Sequence, residues 1–176
     1  MVREAGPGDA PAIARVHVDS WRETYGGIVP SGYLSSMSYG DYEGLWRRVL
    51  DGPGRYGIVY VAEGGPEGIA GFTSGGPRRG GGYPDYEGEL YTLYVLAEHQ
   101  GKGLGSSLLR AVADGLSGNG LRSMLAWVLY ENPSRGFYEV LGGEVVGEQE
   151  IEIGGSRLRE VAYGWKDVGE LASPRG

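Results

Sequence analysis

The segment Leu93–Ser106 constrains the fold of this chain more than any other part of the sequence. Its first residues are apolar and typical of a strand, and they lead into a loop with alternating glycines at Gly101, Gly103 and Gly105. The loop opens directly into an amphipathic helix that we expect to end at Gly118. Backbone N–H groups at the start of such a helix bind anions, and glycine lets the backbone approach them closely. The junction therefore predicts an anion-binding site.

Two common phosphate-binding motifs do not fit this loop. A P-loop requires Ser or Thr after its Gly-Lys pair, whereas Gly103 follows Lys102 here and Ala97 replaces the earlier glycine. A Rossmann fingerprint requires a third glycine and an acidic residue about 20 positions further on. Ser106 takes the place of that glycine, and residues 121–125 contain no acidic side chain. A nucleotide-binding oxidoreductase is therefore not supported.

A third pattern, Gln-x-x-Gly-x-Gly, matches fully at Gln100, Gly103 and Gly105. The alternative interpretation is a glycine-rich turn that only starts a helix. A second block begins at Asn132, contains the sequence Phe-Tyr-Glu around Tyr138, and ends in a glycine pair. The Asn132 side chain could cap a following helix, contact a ligand, or do both. Tyr138 could equally be a packed aromatic residue whose hydroxyl is hydrogen-bonded.

Together the two blocks resemble the GNAT superfamily of acyl-CoA-dependent N-acetyltransferases. The resemblance implies that acetyl-CoA is the cosubstrate, with its pyrophosphate on the glycine loop and its pantetheine amides on the backbone of the fourth strand. The sequence departs from the usual family pattern at Gly143, where an aromatic residue is common, and in an interval from Asn132 to Tyr138 that is one residue shorter. The implied cofactor-binding residues are Leu93, Tyr94, Val95, Gln100, Gly101, Lys102, Gly103, Leu104, Gly105, Ser106, Asn132 and Ser134.

The order of apolar and amphipathic segments predicts a mixed α/β chain. The resemblance implies the GNAT fold, with a mostly antiparallel sheet of about six to seven strands splayed between strands 4 and 5, flanked by about four to five helices. We expect one domain over residues 1–168 and a tail over 169–176. The predicted strands are 2–5, 56–63, 67–74, 87–96, 122–129, 144–153 and 157–165, and the predicted helices are 8–25, 30–37, 39–50, 104–118 and 133–141.

Composition narrows the possible functions. The chain has 176 residues, no cysteine and two histidines, which excludes disulfides, a cysteine acyl-enzyme and a multi-histidine metal site. We expect no metal. The formal net charge of −7 disfavours nucleic acid and mildly favours a cationic partner. No apolar run reaches the roughly 18 residues of a membrane span, so we expect a cytoplasmic location.

Direct attack of an amine on a thioester needs a proton acceptor for the amine and a proton donor for the departing thiolate. Tyr138 matches the tyrosine that often protonates the thiolate in the family. Glu89 stands where several family members carry a catalytic glutamate, and strict alternation would place it on one face with Tyr91, Leu93 and Val95. A solvent-facing role for Glu89 is equally compatible with the sequence. Glu87 or a chain of water molecules could replace it as the base.

The segment around Trp21 and Tyr25 resembles a bacterial GNAT branch with a Trp-x-x-Thr-Tyr sequence. In the family, the first two helices, their connection and the last hairpin mostly set acceptor specificity. Trp21, Tyr25 and Tyr33 are therefore candidate substrate-binding residues, although helical spacing also fits core packing for the first two. With Glu23 nearby, they could hold a cation. The expected acceptor is the primary amine of a polyamine, amino acid or antibiotic-like molecule. Alternatives are a protein N-terminus, or a non-catalytic acyl-CoA-binding module. Dimers are common in the family, so a homodimer is possible.

Overall fold

A computed structural model describes residues 1–52 and 57–172 of the chain. It contains one seven-stranded sheet with the order β1-β2-β3-β4-β5-β7-β6, in which neighbours are antiparallel except the parallel pair β4–β5. This confirms the predicted mixed sheet. The strands are β1 (Val2–Glu4), β2 (Ile58–Glu63), β3 (Ile69–Pro77), β4 (Gly88–Val95), β5 (Met124–Leu129), β6 (Glu144–Ile153) and β7 (Ser156–Trp165).

The described residues contain six α-helices, which flank the sheet. The five predicted helices correspond to the first five of them. The sequence did not predict the sixth, a single turn that directly follows the closing hairpin. Tyr56, the expected first residue of the second strand, lies outside the described residues. The helices are α1 (Ala10–Tyr25), α2 (Ser31–Ser36), α3 (Tyr39–Asp51), α4 (Leu104–Gly118), α5 (Arg135–Val140) and α6 (Gly169–Ala172). None of them is long and apolar enough to span a membrane.

Each face of the sheet has its own apolar core. On one face, Leu109 and Val112 of α4 pack with Leu90 of β4 and with residues of β5, β7 and α5. On the other face, Ile13 of α1 and Trp46 of α3 pack over β2 and β3. The faces are called here the α4 face and the α1 face. Because both faces are covered by helices, the central strands are buried on both sides.

The sheet is interrupted between β4 and β5. The parallel pairing joins Gly88, Glu89 and Leu90 to β5 and extends no further along β4. At the same point, the register between β3 and β4 shifts, so that Leu90 lies opposite Gly75 while Thr92 lies opposite Ser74. This β-bulge bends the strand, as such bulges do. The two strands therefore diverge, which confirms the splayed sheet that the family resemblance implies.

His17 is a buried polar residue of the α1-face core. Its imidazole stacks on the ring of Tyr94 at 5.1 Å and meets the edge of Tyr42 at 4.5 Å. Its Nδ1 atom accepts a hydrogen bond of 3.2 Å from the indole nitrogen of Trp46. Burial lowers the pKa of His17 from 6.5 to about 4. Between pH 6.5 and about 4, His17 is therefore neutral in the folded protein, whereas it is protonated in the unfolded chain.

This difference predicts a loss of stability in mild acid. Between pH 6.5 and about 4, the unfolded state binds a proton at His17 and the folded state does not. The free energy of unfolding therefore decreases by roughly 3 kcal/mol as the pH is lowered through this interval. His17→Gln removes this contribution, and its stability deficit relative to the parent should shrink over that interval in urea titrations. Trp46→Phe should keep the full pH dependence, because burial and not the hydrogen bond lowers the pKa. A constant deficit of the His17→Gln variant would contradict the interpretation.

Candidate active site

A cleft of about 350 Å³ runs through the gap between β4 and β5. Twelve of the seventeen site residues predicted from the sequence line it. The lining also includes residues of α1, β4, β5 and α5 that are not among those predicted site residues. The predicted lining residues are Tyr25, Leu93, Tyr94, Val95, Gln100, Gly101, Gly103, Gly105, Ser106, Asn132, Ser134 and Tyr138, and the additional ones are Ser20, Thr24, Leu90, Tyr91, Thr92, Ala126, Trp127, Val128 and Phe137.

The glycine loop forms one end of the cleft. Gly101 and Gly103 have φ angles of 71° and 79°, a region that favours glycine. Gly103 precedes the first turn of α4, and no side chain caps that turn. The first N–H groups of α4 have no partner within the helix, so they face the cleft with the positive end of the helix dipole. A Cβ atom on Gly105 would lie 3.2 Å from Phe137, so glycine lets α4 approach α5 closely. The loop is therefore built to receive an anion.

The edge of β4 forms one wall of the cleft. Past Leu90 this edge has no partner in β5, so the backbone of residues 91–95 is open to a ligand on that side. The Gln100 side chain donates a 2.9 Å hydrogen bond to the carbonyl oxygen of Val95. That bond joins the glycine loop to the end of β4, and it fixes the spacing between the two.

Asn132 stands on the opposite side of the gap. Its Oδ1 atom accepts a 2.8 Å hydrogen bond from the Ser134 N–H group, and its Nδ2 atom donates to the Tyr25 hydroxyl at 3.2 Å. The predicted start of the helix at Pro133 is two residues early, since α5 begins at Arg135. Asn132 thus turns the chain ahead of α5 and ties it to α1.

Two of the predicted acceptor residues, Trp21 and Tyr33, lie beside the cleft and do not line it. They belong to an aromatic cluster in which the Trp21 ring is 4.8 Å from Tyr25 and 6.0 Å from Tyr33. The Trp21 indole nitrogen donates to the Tyr94 hydroxyl at 2.9 Å. Glu23 does not face this cluster, because its carboxylate accepts a bond from the Ala97 N–H group. Trp21 therefore has a role in core packing, whereas Tyr25 both packs in the cluster and lines the cleft.

Two residues of the predicted phosphate loop do not line the cleft with the rest. The Lys102 ammonium group is exposed and donates a 2.8 Å hydrogen bond to the Glu98 carbonyl oxygen. Leu104 is the half-buried first residue of α4. In this arrangement backbone groups, and not the lysine side chain, present donors to the cleft.

Tyr138 lines the cleft from the α4 face. It is 8% exposed, and its ring stacks on Tyr163 at 5.6 Å and meets Phe137 edge-on at 5.2 Å. Burial raises the pKa of the Tyr138 hydroxyl above its usual value, and the neighbouring Tyr94 adds to the effect. The hydroxyl therefore keeps its proton at neutral pH. A protonated phenol at this position can donate a proton to an anion in the cleft.

Glu89 is buried on the other face. Leu90 and Leu93 both pack against the α4-face core, so the bulge interrupts the side-chain alternation between them. Glu89 precedes Leu90 and consequently faces α1, and the prediction that it shares a face with Leu93 and Val95 is wrong. Its carboxylate accepts hydrogen bonds from the Arg79 backbone N–H group and from the Arg79 guanidinium, each at 2.8 Å. Glu89 itself does not line the cleft, but its neighbours Leu90 and Tyr91 do.

Glu87, the alternative candidate for the general base, does not line the cleft. It precedes β4, is exposed, and accepts a 2.7 Å hydrogen bond from the Arg122 N–H group.

Glu160 is a second carboxylate that the sequence analysis missed. It lies on β7 opposite Leu129 and next to Val161, whose side chain is in the α4-face core, so Glu160 faces α1. Burial raises the pKa of Glu160, the Gln149 side chain opposes this through a 2.9 Å hydrogen bond, and the charge of Glu89 raises it further. Its position in the middle of a distant hairpin strand gives no local sequence signal that would link it to Glu89.

Comparison with known proteins is consistent with this geometry. Residues 82–151 match the family described as FR47-like protein. The chain is 44% identical over 171 residues to the uncharacterized N-acetyltransferase YuaI of Bacillus subtilis strain 168, covering 97% of this chain and 95% of that protein.

Two crystal structures have the same fold. One is a ribosomal-protein-alanine N-acetyltransferase from Brucella melitensis, with a TM-score of 0.69, 22% identity and coverage of 94% and 98% of the two chains. The other is a GNAT superfamily phosphinothricin acetyltransferase from Sinorhizobium meliloti in complex with acetyl-CoA, with a TM-score of 0.71, 21% identity and coverage of 94% and 86%.

The contact between Arg79 and Glu89 leads to a stability prediction. Arg79→Ala leaves a buried carboxylate with only the backbone donor, and we expect a loss of about 1–3 kcal/mol in the free energy of unfolding. The matched control is Arg47→Ala, which removes a 2.6 Å ion pair with Glu43 on an exposed helix surface and should cost less than about 0.5 kcal/mol. Chemical denaturation measures both changes, and equal small losses would show that the pair between Arg79 and Glu89 is not stabilising.

Proposed function

Because the chain belongs to the GNAT superfamily of acyl-CoA-dependent N-acetyltransferases, we propose that it transfers the acetyl group of acetyl-CoA directly to the primary amine of a small molecule. The observation that carries this proposal is the continuous cleft from the uncapped start of α4 to the gap between β4 and β5. It joins an anion site to an unpaired strand edge, which are the two features that an acyl-CoA requires.

The loop from Gln100 to Ser106 is proposed to bind the pyrophosphate through its N–H groups, supported by the left-handed glycines that open the backbone. Leu93, Tyr94 and Val95 would bind the pantetheine amides through their main chain, because this part of β4 lacks a partner in β5. Asn132 and Ser134 line the opposite wall. Acetyl-CoA bound to the related fold from Sinorhizobium meliloti supports the same cosubstrate here.

The acceptor amine must lose a proton before or during its attack on the thioester carbon, since an alkylamine is protonated at neutral pH. We assign Glu89 as the base, acting through water because it lies behind Leu90 and Tyr91. The Val95 N–H group is a suitable donor to the thioester oxygen as charge develops there. The new C–N bond forms as the C–S bond breaks, and Tyr138 gives its proton to the departing thiolate. The Tyr138 hydroxyl holds its proton at neutral pH, so a proton is present for this transfer.

The acceptor is proposed to be a cationic small molecule such as a polyamine, an amino acid or an antibiotic-like amine. Glu89 and Glu160 both face α1 next to the cleft, and the charge of Glu89 acts on Glu160. Tyr25, with Trp21 and Tyr33 behind it, adds aromatic faces that attract cations. The net charge of −7 favours the approach of such a molecule.

The first experiment is calorimetric titration of acetyl-CoA into the purified protein, followed by thiol release with a panel of amines and one N-terminal peptide. We expect binding, with turnover on one or more diamines or amino acids. Turnover on the peptide alone would replace the small acceptor with a protein N-terminus. Binding without turnover across a broad panel would favour a regulatory acyl-CoA-binding module, and the absence of binding would contradict the proposal.

Gly103→Val tests the assignment of the phosphate loop. A branched side chain is strained at a φ of 79°, and it would project at the start of α4 where the anion binds. We expect a loss of CoA affinity of more than 10-fold in calorimetry. Gly80→Val is the matched control, because Gly80 has a φ of 74° with nothing within 4 Å of a Cβ atom and lies away from the cleft. Equal CoA affinity in both variants would contradict the assignment.

The acid and base assignments can be separated by two conservative variants. Tyr138→Phe keeps the ring packing and removes the proton donor, and Glu89→Gln keeps the shape and removes the base. We expect each to lower kcat by about 10²–10⁴-fold with little change in the Kd of acetyl-CoA. Glu160→Gln is the comparison for the base, and a larger kcat loss there would transfer that role to Glu160.

A further inference from the structure

Arg79 makes the contacts that hold the Glu89 carboxylate in place. Its backbone N–H group donates to Oε2 at 2.8 Å, and the Nη2 and Nε atoms of its guanidinium donate to Oε1 at 2.8 Å and 3.3 Å. Both oxygens therefore have a partner from the same residue. The Glu89 side chain is 5% exposed, so these bonds form away from bulk water. They oppose rotation of the carboxylate about its terminal bond.

The guanidinium is itself held by its surroundings. It stacks on Tyr91, with its central carbon 4.0 Å from the ring centre. Tyr91 is the unpaired residue of the β-bulge, since Leu90 and Thr92 on either side of it have partners on β3. The Tyr91 hydroxyl donates to the Pro77 carbonyl oxygen at the end of β3. The bulge and the end of β3 together fix the orientation of the guanidinium.

The same bonds leave the carboxylate room for one more donor. An ionised carboxylate has roughly four acceptor positions, and Arg79 fills three of them. No other group in residues 1–52 and 57–172 donates to Glu89. A base that acts through water requires one position for that water. Its efficiency depends on the direction of that position, because small displacements of a reacting group lower the rate strongly.

We infer that Arg79 is a positioning residue for acetyl transfer, which holds Glu89 in the orientation from which it accepts the amine proton through water. The water gives a proton to Glu89 as it takes one from the amine. Arg79 does not line the cleft, so it acts on the reaction through Glu89. The inference rests on the proposed function, because it requires Glu89 to be the base.

The test begins with Arg79→Ala in the full chain, assayed with acetyl-CoA and the best amine of the panel, for example 1,4-diaminobutane. We expect kcat to fall about 10- to 100-fold, as for a displaced reacting group. The Kd of acetyl-CoA and the KM of the amine should not change, since Arg79 lies outside the cleft. Circular dichroism at the assay temperature verifies that each variant is folded.

A double variant separates a positioning role from a general structural one. If Arg79 acts only through Glu89, then Arg79→Ala should have no further effect on kcat when Glu89→Gln is already present. Substitutions that act through one group are not additive, whereas independent effects multiply in the rate. The two single variants and the double variant should therefore give similar residual rates once the base is lost.

Chemical rescue gives a second measurement. The Arg79 side chain is 63% exposed, so a small cation from solution can reach its place in the Arg79→Ala variant. Guanidinium ion at low millimolar concentration should restore part of kcat there, and none in the Arg79→Ala/Glu89→Gln double variant. Tetramethylammonium carries the same charge without N–H donors and should not restore activity. Arg79→Lys keeps the charge without the guanidinium fork, and its kcat should be intermediate.

Arg78→Ala is the matched control. Arg78 is the preceding residue, and its guanidinium donates to the Tyr86 carbonyl oxygen at 2.8 Å and to the Gly80 carbonyl oxygen. It anchors the same loop without a contact to Glu89. This variant should keep the kcat of the parent protein.

Three outcomes would overturn the inference. Parent-like kcat in Arg79→Ala, with Glu89→Gln impaired, would show that the base needs no positioning by Arg79. A raised amine KM, or a further kcat loss in the double variant, would show that Arg79 acts independently of Glu89. An equal kcat loss in Arg78→Ala would assign the effect to the loop. Parent-like kcat in Glu89→Gln would instead contradict the base assignment in the proposed function.

Discussion

The site depends on the point at which the parallel pairing of β4 and β5 ends. Three residues of β4, from Gly88 to Leu90, pair with β5, and the bulge that follows turns the strand away. Backbone donors and acceptors that would be satisfied in a continuous sheet then face a gap. Buried backbone groups need partners, so the gap favours a ligand that carries its own amides. The same interruption therefore forms the cleft and favours ligands that carry amide groups.

Helix α1 keeps the two sides of this gap at a fixed separation. Trp21 bonds to Tyr94 on β4, and Tyr25 bonds to Asn132 in the connection after β5. These links are one turn apart on a helix whose buried residues also pack in the aromatic core around His17. A rigid helix with contacts on both sides can hold open a gap that neither strand could maintain alone.

The sequence predicted the parts that depend on local patterns. Apolar alternation and glycine positions were sufficient for all seven strands and the five longest helices, and the spacing of Gln100, Gly103 and Gly105 identified the loop before α4. The bulge was not predictable, because it depends on the register of β3 against β4, with Gly75 opposite Leu90. That register puts Glu89 on the α1 face. Glu160 was missed for the same reason, since only the three-dimensional sheet order brings β7 next to β5.

The bulge also separates in space the two groups proposed to transfer protons. Tyr138 belongs to the core on the α4 face, while Glu89 and Glu160 face α1. A reaction that uses groups from opposite faces of a sheet can take place only where the sheet is open, which is the gap after Leu90. A thiolate that leaves toward the α4 face and an amine that enters from the α1 face would then meet at one carbonyl carbon.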